Sequence, residues 1–260
     1  MQPQPRSPSP QPADAARVAP SRRAGAVHDL LDEVDVAIVV TRQAPWQLAS
    51  LQAALAADLS AGWCGGALVF VDAAAAQTAR AARQTLDDHH RIARRTILTA
   101  PRRLGTAAAA DLVAAEATGE YLALLDAATR PAPGTLKRLT DALERDHDAL
   151  WAAPAVPGVA VLRRRGFLDL GGFDPGLRGG AAVADLARRA TIERWRLLTV
   201  ADAPAHRDGR IGAAAARRPW FARANRTDQT RLAQRRPWSG NALARWLPGA
   251  RRAVRREDLL

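Results

Sequence analysis

The sequence predicts an α/β fold: an open, mostly parallel sheet flanked by helices, in one principal domain. Three observations predict it. Strand-length apolar runs alternate with helix-length segments from Val34 to about Leu143, and regular alternation makes a parallel sheet with helical crossovers the economical solution. The strand runs are continuously apolar, as strands buried on both faces are. Alanine makes up much of a 48% hydrophobic content in a chain of 260 residues, which suits helices layered on a sheet.

The elements follow in order. Val36-Ala37-Ile38-Val39-Val40 is a buried strand. Leu48, Leu51, Leu55 and Leu59 then share one helical face, and Ser60-Ala61-Gly62 stops it. Ala67 to Val71 forms a second strand ending at Asp72, and an Ala/Arg/Gln helix runs from there to about His90. Arg95 to Thr99 is a third strand. Gly105 opens an Ala-rich helix that Gly119 closes. Tyr121 to Leu125 is a fourth strand, again ending at an aspartate, Asp126. Pro131 and Pro133-Gly134 start a helix with Leu136, Leu139 and Leu143 on one face, proline standing at the favoured end. No internal repeat is present.

Residues 1–25 read as a disordered Pro-rich tail, because such sequence buries too little surface to offset ordering entropy. The domain spans 26–207. Residues 208–260 read as a basic Arg/Trp-containing extension with Trp220, Trp238 and Trp246, punctuated by Pro219, Pro237 and Pro248, made of short helices rather than more sheet. Aromatics are only 5%, so the core is expected to rest on Val, Leu and Ile. The net charge is +12, and Lys137 is the only lysine. Arginine excess fits an anionic partner or phosphorylated substrate; it equally fits a compositional bias, and both readings stand. The one cysteine, Cys64, excludes an internal disulfide framework and a multi-cysteine zinc site. No apolar run resembles a signal peptide or approaches the roughly 20 residues of a membrane span. The expectation is a cytoplasmic protein, at most peripheral at a membrane.

Open parallel sheets bind ligands at the carboxyl ends of their strands, and those ends carry Thr41, Asp72 and Asp126. Five motifs follow one another in a telling order. VAIVVTRQAP (Val36 to Pro45) is similar to VSVVIVTYNRP. LVFVDAAAAQTA (Leu68 to Ala79) is similar to a VVDNGSTDGT turn. LGTAAAADLVAAEATGEYLALLDAATRPAPGTLKRL resembles GxAxARNxGxxxAxGEYxxFLDxDDxxxPxxL. VLRRRGFLDLGGFDPGL with ADLARRA, and WRLLTVADAPAH ending at His206, resemble acceptor-side motifs. Over residues 34–206 the chain resembles the family 2 glycosyltransferases, whose fold is the Rossmann-related GT-A fold.

The resemblance implies a nucleotide-sugar donor and a glycan or lipid-linked acceptor. It implies donor contacts at Thr41 and Asp72, with Asp126 also on the donor; Arg102 and Arg103 are candidates for the diphosphate, since guanidinium groups bind phosphates bidentately. The alternatives are a helix cap for Asp72, a plain strand-end residue for Thr41 and solvated charge for the arginines. A Mg²⁺ or Mn²⁺ cofactor is expected in such enzymes to neutralise the leaving diphosphate, with Asp126 and His206 as the candidate ligands. The pattern's Asp-x-Asp is damaged here: Ala128 replaces the second aspartate, so the cofactor is Mg²⁺, Mn²⁺ or none. The acidic pair that supplies the family's base is replaced around Ala182-Val183. Only Asp185 survives nearby, either as a displaced catalytic base or as a helix cap. Asp174 in GGFDP is expected to be structural.

Three functions compete. One is a glycosyltransferase, inverting if active, in which Arg102, Arg103 and Arg130 supply charge that a metal would otherwise supply. The second is an inactive homologue that binds a nucleotide, glycan or partner. The third rests on the basic C-terminal segment as a peripheral contact for anionic membrane; nucleic acid is the disfavoured version.

Overall fold

The computed structural model describes residues 34–40, 45–58, 66–72, 76–89, 92, 94–101, 104–126, 129–156, 158–177, 179–207, 230, 232–234 and 238–259. The expected Pro-rich tail over 1–25, Thr41, Arg102, Arg103 and Trp220 lie outside them.

The order is β1 (Val34–Val40), α1 (Pro45–Asp58), β2 (Gly66–Asp72), α2 (Ala76–Asp87), β3 (Arg94–Ala100), α3 (Thr106–Glu116), β4 (Tyr121–Asp126), β5 (Thr129–Pro131) and α4 (Thr135–Arg145). There follow β6 (Ala149–Pro154), β7 (Val159–Arg163), α5 (Arg164–Asp169), α6 (Gly180–Ile192), β8 (Arg196–Val200) and β9 (Ala205–Arg207). The chain closes with α7 (Gly240–Arg252) and β10 (Arg255–Leu259). One eight-stranded sheet runs β10-β3-β2-β1-β4-β7-β6-β8, and β5 pairs with β9 in a separate ribbon. β3, β2, β1 and β4 are mutually parallel. β7 enters antiparallel between β4 and β6, and β8 lies parallel to β6.

Side chains alternate across β1, as pleating requires. Val34, Val36 and Ile38 join the core layer that includes Leu48, Leu86, Leu136 and Leu139 from α1, α2 and α4. Ala37 and Val39 join the opposite layer, with α3, α5, α6 and α7. The expected Val/Leu/Ile core is corrected in part by that second layer. Ala107 to Ala110 and Ala114 of α3 are all buried, so small side chains bring this helix close to the sheet. Aromatics fill the adjoining space: Phe167 meets Phe173 edge-on at 5.0 Å and Trp151 meets Phe173 at 6.2 Å.

An unanticipated carboxylate ties the amino ends of four strands. Asp35 of β1 is 2% exposed. Its Oδ1 accepts the Gly66 N–H at 2.7 Å. Its Oδ2 accepts Arg94 Nη2 at 2.6 Å and the N–H groups of Thr118 and Gly119 at 2.6 and 2.8 Å. Charge-assisted bonds of this kind are roughly twice as strong as neutral ones.

The reading of the C-terminal segment as short helices apart from the sheet is corrected. β10 adds an antiparallel edge strand to β3. Glu257 of β10 accepts two bonds from Arg83 of α2 at 2.8 and 2.6 Å, and Asp258 accepts the Thr96 hydroxyl at 2.7 Å. Leu243 of α7 is buried, Trp246 and Leu247 pack on the second layer, and Trp238 donates its indole N–H to the Gly171 carbonyl. The sequence RREDL lacks β-branched residues, which is why its strand character was hidden: ion pairs and an unpaired neighbour hold it, not propensity. No helix among the described residues is long and apolar enough to cross a membrane.

Candidate functional site

The parallel order β3-β2-β1-β4 turns back at β1, which places the carboxyl ends of β2, β1 and β4 side by side. Register makes this concrete: Val40 lies opposite Val71, one residue before Asp72, and Val39 lies opposite Asp126. The two strand-end aspartates thus flank the end of β1. Asp126 is buried, and its N–H donates to the Gly158 carbonyl at 2.8 Å. Asp72 closes β2.

Beyond Asp126 the chain forms the β5–β9 ribbon, a feature the sequence did not reveal. Thr129, Arg130 and Pro131 pair with Arg207, His206 and Ala205. Thr129 and Pro131 are buried, while Arg130 is half-buried and His206 exposed. Arg130 and His206 stand directly opposite, so both occupy the ribbon's outer face. The ribbon is fixed from below. Gly158 has φ +116°, and a Cβ there would fall 2.0 Å from Thr129 Oγ1, so only glycine fits. The Pro204 carbonyl accepts the Ala132 N–H at 3.0 Å and the Thr135 hydroxyl at 2.5 Å, tying the approach to β9 onto the start of α4.

Asp185, the candidate base, has a different setting. It is 3% exposed and lies inside α6, whose first residue is Gly180; the expectation of a helix cap is therefore corrected. Oδ2 accepts Arg189 Nε at 2.8 Å and Oδ1 accepts Arg188 Nη2 at 3.2 Å. Arg189 carries the link onward, donating to the carbonyls of Leu170 and Gly172 at 2.6 Å each. This ion pair clamps the Gly171-Gly172-Phe173-Asp174 turn onto α6. Asp174 serves the same turn, accepting the Gly176 N–H at 2.8 Å.

Asp111 of α3 underlies the turn from the other side. It is 0% exposed and accepts the Phe173 N–H at 2.8 Å on Oδ1. Its Oδ2 is buried without a hydrogen-bond partner. A Cβ on Gly172 (φ +64°) would come 2.5 Å from Asp111 Oδ1, which explains the glycine. Burial pushes the Asp111 carboxyl well above the ordinary carboxylate range; the Phe173 N–H and Arg189 draw it down, and Asp174 adds to the rise. The sequence signal for it was a single acid in an alanine helix.

A divalent cation needs several oxygen or nitrogen ligands. Among the described residues no group of three or more His, Cys, Asp or Glu could hold one. Ala127 and Ala128 follow Asp126 and bring no ligating side chain. Of the candidate ligands, Asp126 and His206 are the described ones, and they make two, fewer than such a cation needs.

Residues 64–171 match glycosyl transferase family 2. No curated protein matches the chain. Among solved structures, GalNAc-T7 with UDP, GalNAc and Mn²⁺ is similar at TM-score 0.59 and 14% identity, over 68% of this chain and 43% of that one. The mannosyltransferase PcManGT from Pyrobaculum calidifontis, in complex with GDP-Man and Mn²⁺, is similar at TM-score 0.57 and 20% identity, over 85% of this chain and 73% of that one. S. aureus TarS gives TM-score 0.53 and 12% identity, over 65% and 35%. The matched region spans less than half the length of GalNAc-T7 and of TarS. These likenesses bear out the GT-A-like α/β fold.

Proposed function

We propose that this chain, a glycosyltransferase-like protein carrying a family 2 glycosyl transferase region on a GT-A fold, binds a nucleotide-sugar at the carboxyl ends of β1, β2 and β4. One observation carries the reading: Asp72 and Asp126 end the strands on either side of β1, at the point where the strand order reverses. Their carboxylates accept hydrogen bonds from base N–H groups or ribose hydroxyls, with Thr41, Arg102 and Arg103 as further donor-binding candidates. If the chain turns over, the sugar passes with inversion to a hydroxyl of a glycan or lipid-linked acceptor.

A second reading, donor binding without turnover, is favoured by Asp185. Both its oxygens are engaged by arginines, which supports a positioning role over proton removal. The GalNAc-T7 and PcManGT structures contain Mn²⁺; Asp126 and His206 are the candidate ligands for Mg²⁺ or Mn²⁺ here, with Ala128 in place of a third. The C-terminal reading becomes a surface one: Arg245, Arg252 and Arg255 are exposed on α7 and β10 and suit peripheral contact with anionic lipid in the cytoplasm. Nucleic acid stays the disfavoured partner.

The test is calorimetric titration of the full chain with UDP- and GDP-sugars, beside Asp72→Ala and Asp126→Ala, with release of nucleoside diphosphate followed in parallel. Binding weakened at least tenfold by either substitution supports the site. Binding unchanged in both folded variants refutes it. Binding without release of nucleoside diphosphate across a panel of glycan and lipid-linked acceptors selects the second reading.

A further inference from the structure

The eight-stranded sheet ends in β10 on one side and β8 on the other, and the two edges are built differently. β10 reads Arg255-Arg256-Glu257-Asp258-Leu259, and Arg83, Thr96 and Glu116 engage its charged side chains. Charge of this kind blunts an edge strand against further pairing. β8 reads Arg196-Leu197-Leu198-Thr199-Val200, and its two leucines are only partly buried, one against each core layer. The Arg196 N–H donates to the Asp148 carbonyl at 2.8 Å, on the β6 side. Backbone polar groups alternate in direction along a strand, so those of Leu197 and Thr199 face the open side. Ile192, the exposed large hydrophobic among the described residues at 67%, ends α6 just before this strand.

Charge identifies what this edge fits. Arg194 and Asp202 are exposed and lie four residues to either side of Leu198, and neither forms an ion pair with a described residue. Two copies of β8 paired antiparallel about a two-fold axis at Leu198 set Leu198 against the partner's Leu198, and Leu197 against the partner's Thr199. Leu197 and Thr199 then exchange N–H···O bonds across the axis, and each Arg194 lies toward the partner's Asp202. A short strand whose free charges and apolar side chains complement their own two-fold image fits a second copy better than an unrelated peptide. We propose that β8 is the contact of a homodimer, in which two eight-stranded sheets join edge to edge through antiparallel β8 strands. The contact is isologous, so every substitution in it acts twice. A pair of five-residue strands with their flanks buries less than about 1,200 Å² in total, so association is weak, with a Kd on the order of 10 µM. The dimer contact does not depend on the donor site.

Sedimentation velocity of the full chain from about 1 to 100 µM tests the contact. The expected result is a monomer–dimer equilibrium that Thr199→Pro weakens at least tenfold, since proline removes an outward N–H and leaves the β6 ladder intact. Thermal melts verify that this variant is folded. Arg194→Asp and Asp202→Arg, both at exposed positions, each turn two attractions into repulsions and weaken self-association roughly tenfold. Mixing these two variants restores the dimer, because each then meets the opposite charge on its partner. A chain that stays monomeric at the highest concentration overturns the proposal and leaves the edge to a different polypeptide. A dimer unchanged in folded Thr199→Pro, or charge variants that do not recover on mixing, places the contact elsewhere and overturns it too.

Discussion

Asp35→Asn is predicted to have a large effect on stability, at the end of the sheet away from the candidate donor site. The carboxylate accepts four bonds, three of them on Oδ2 from Arg94, Thr118 and Gly119. An asparagine keeps one oxygen for the Gly66 N–H, but its amide then faces three donors and can accept from none. The Arg94 side chain is 31% exposed, so water recovers part of its loss; the two backbone N–H groups have less recourse. Bonds to a charged group contribute roughly 1.5–3 kcal/mol each, and breaking a buried ion pair costs about 3–5 kcal/mol. These overlap, and about 3–5 kcal/mol is the expected total. With a urea dependence of roughly 2–3 kcal/mol/M, the unfolding midpoint falls by about 1–2 M at unchanged slope. Nucleotide affinity of the folded fraction stays the same, because Asp35 lies at the opposite ends of the strands from Asp126. A midpoint moved by less than about 0.3 M would refute the clasp as a major constraint.

The Asp111 prediction concerns pH. Its folded pKa is raised above the 3.8 of an ordinary aspartate, so its contribution to stability is fully present below that value and is lost as pH rises through the folded one. Asp111→Asn keeps the Phe173 acceptor and carries no charge, so the melting temperature of the variant gains on the native protein as pH rises above the ordinary aspartate value of 3.8; a pH-independent difference contradicts the assignment. Asp185→Asn leaves Arg189, 6% exposed, without its counter-charge and lowers stability by about 3–5 kcal/mol in urea unfolding, whereas a free catalytic base would lose turnover at unchanged stability. Deleting residues 240–260 removes β10 from the β3 edge and uncovers the seat of Leu243, so the melting temperature falls by on the order of 10 °C and aggregation rises in light scattering; an unchanged melt would show the segment to be dispensable.

The parallel half of the sheet was legible because strands buried on both faces read as unbroken apolar runs, as in VAIVV and ALVFV. The antiparallel half was not. β7 ends in Arg163, β6 ends in Pro154, and β10 is RREDL; their pairing comes from neighbours and ion pairs that local pattern does not encode. Asp72 and Asp126 stood out because an acid after an apolar run marks a strand end. The juxtaposition of Arg130 and His206 was hidden, since it depends on a cross-strand register between residues 76 apart in sequence. Asp185 looked like a cap or base because an acid followed by Leu can begin a helix; only the structure brings Arg189 and the Leu170 and Gly172 carbonyls around it. Across these places, charge that the family pattern assigns to chemistry in the resemblance is absent, or is used here to hold the framework.

The most direct measurement is amide hydrogen exchange of the full chain with and without a saturating UDP- or GDP-sugar, with Mn²⁺ present and again in excess EDTA. Protection concentrated at the carboxyl ends of β1, β2 and β4 is the result predicted here. Protection confined to α7 and β10, or none, in both conditions would contradict a donor site at that edge of the sheet.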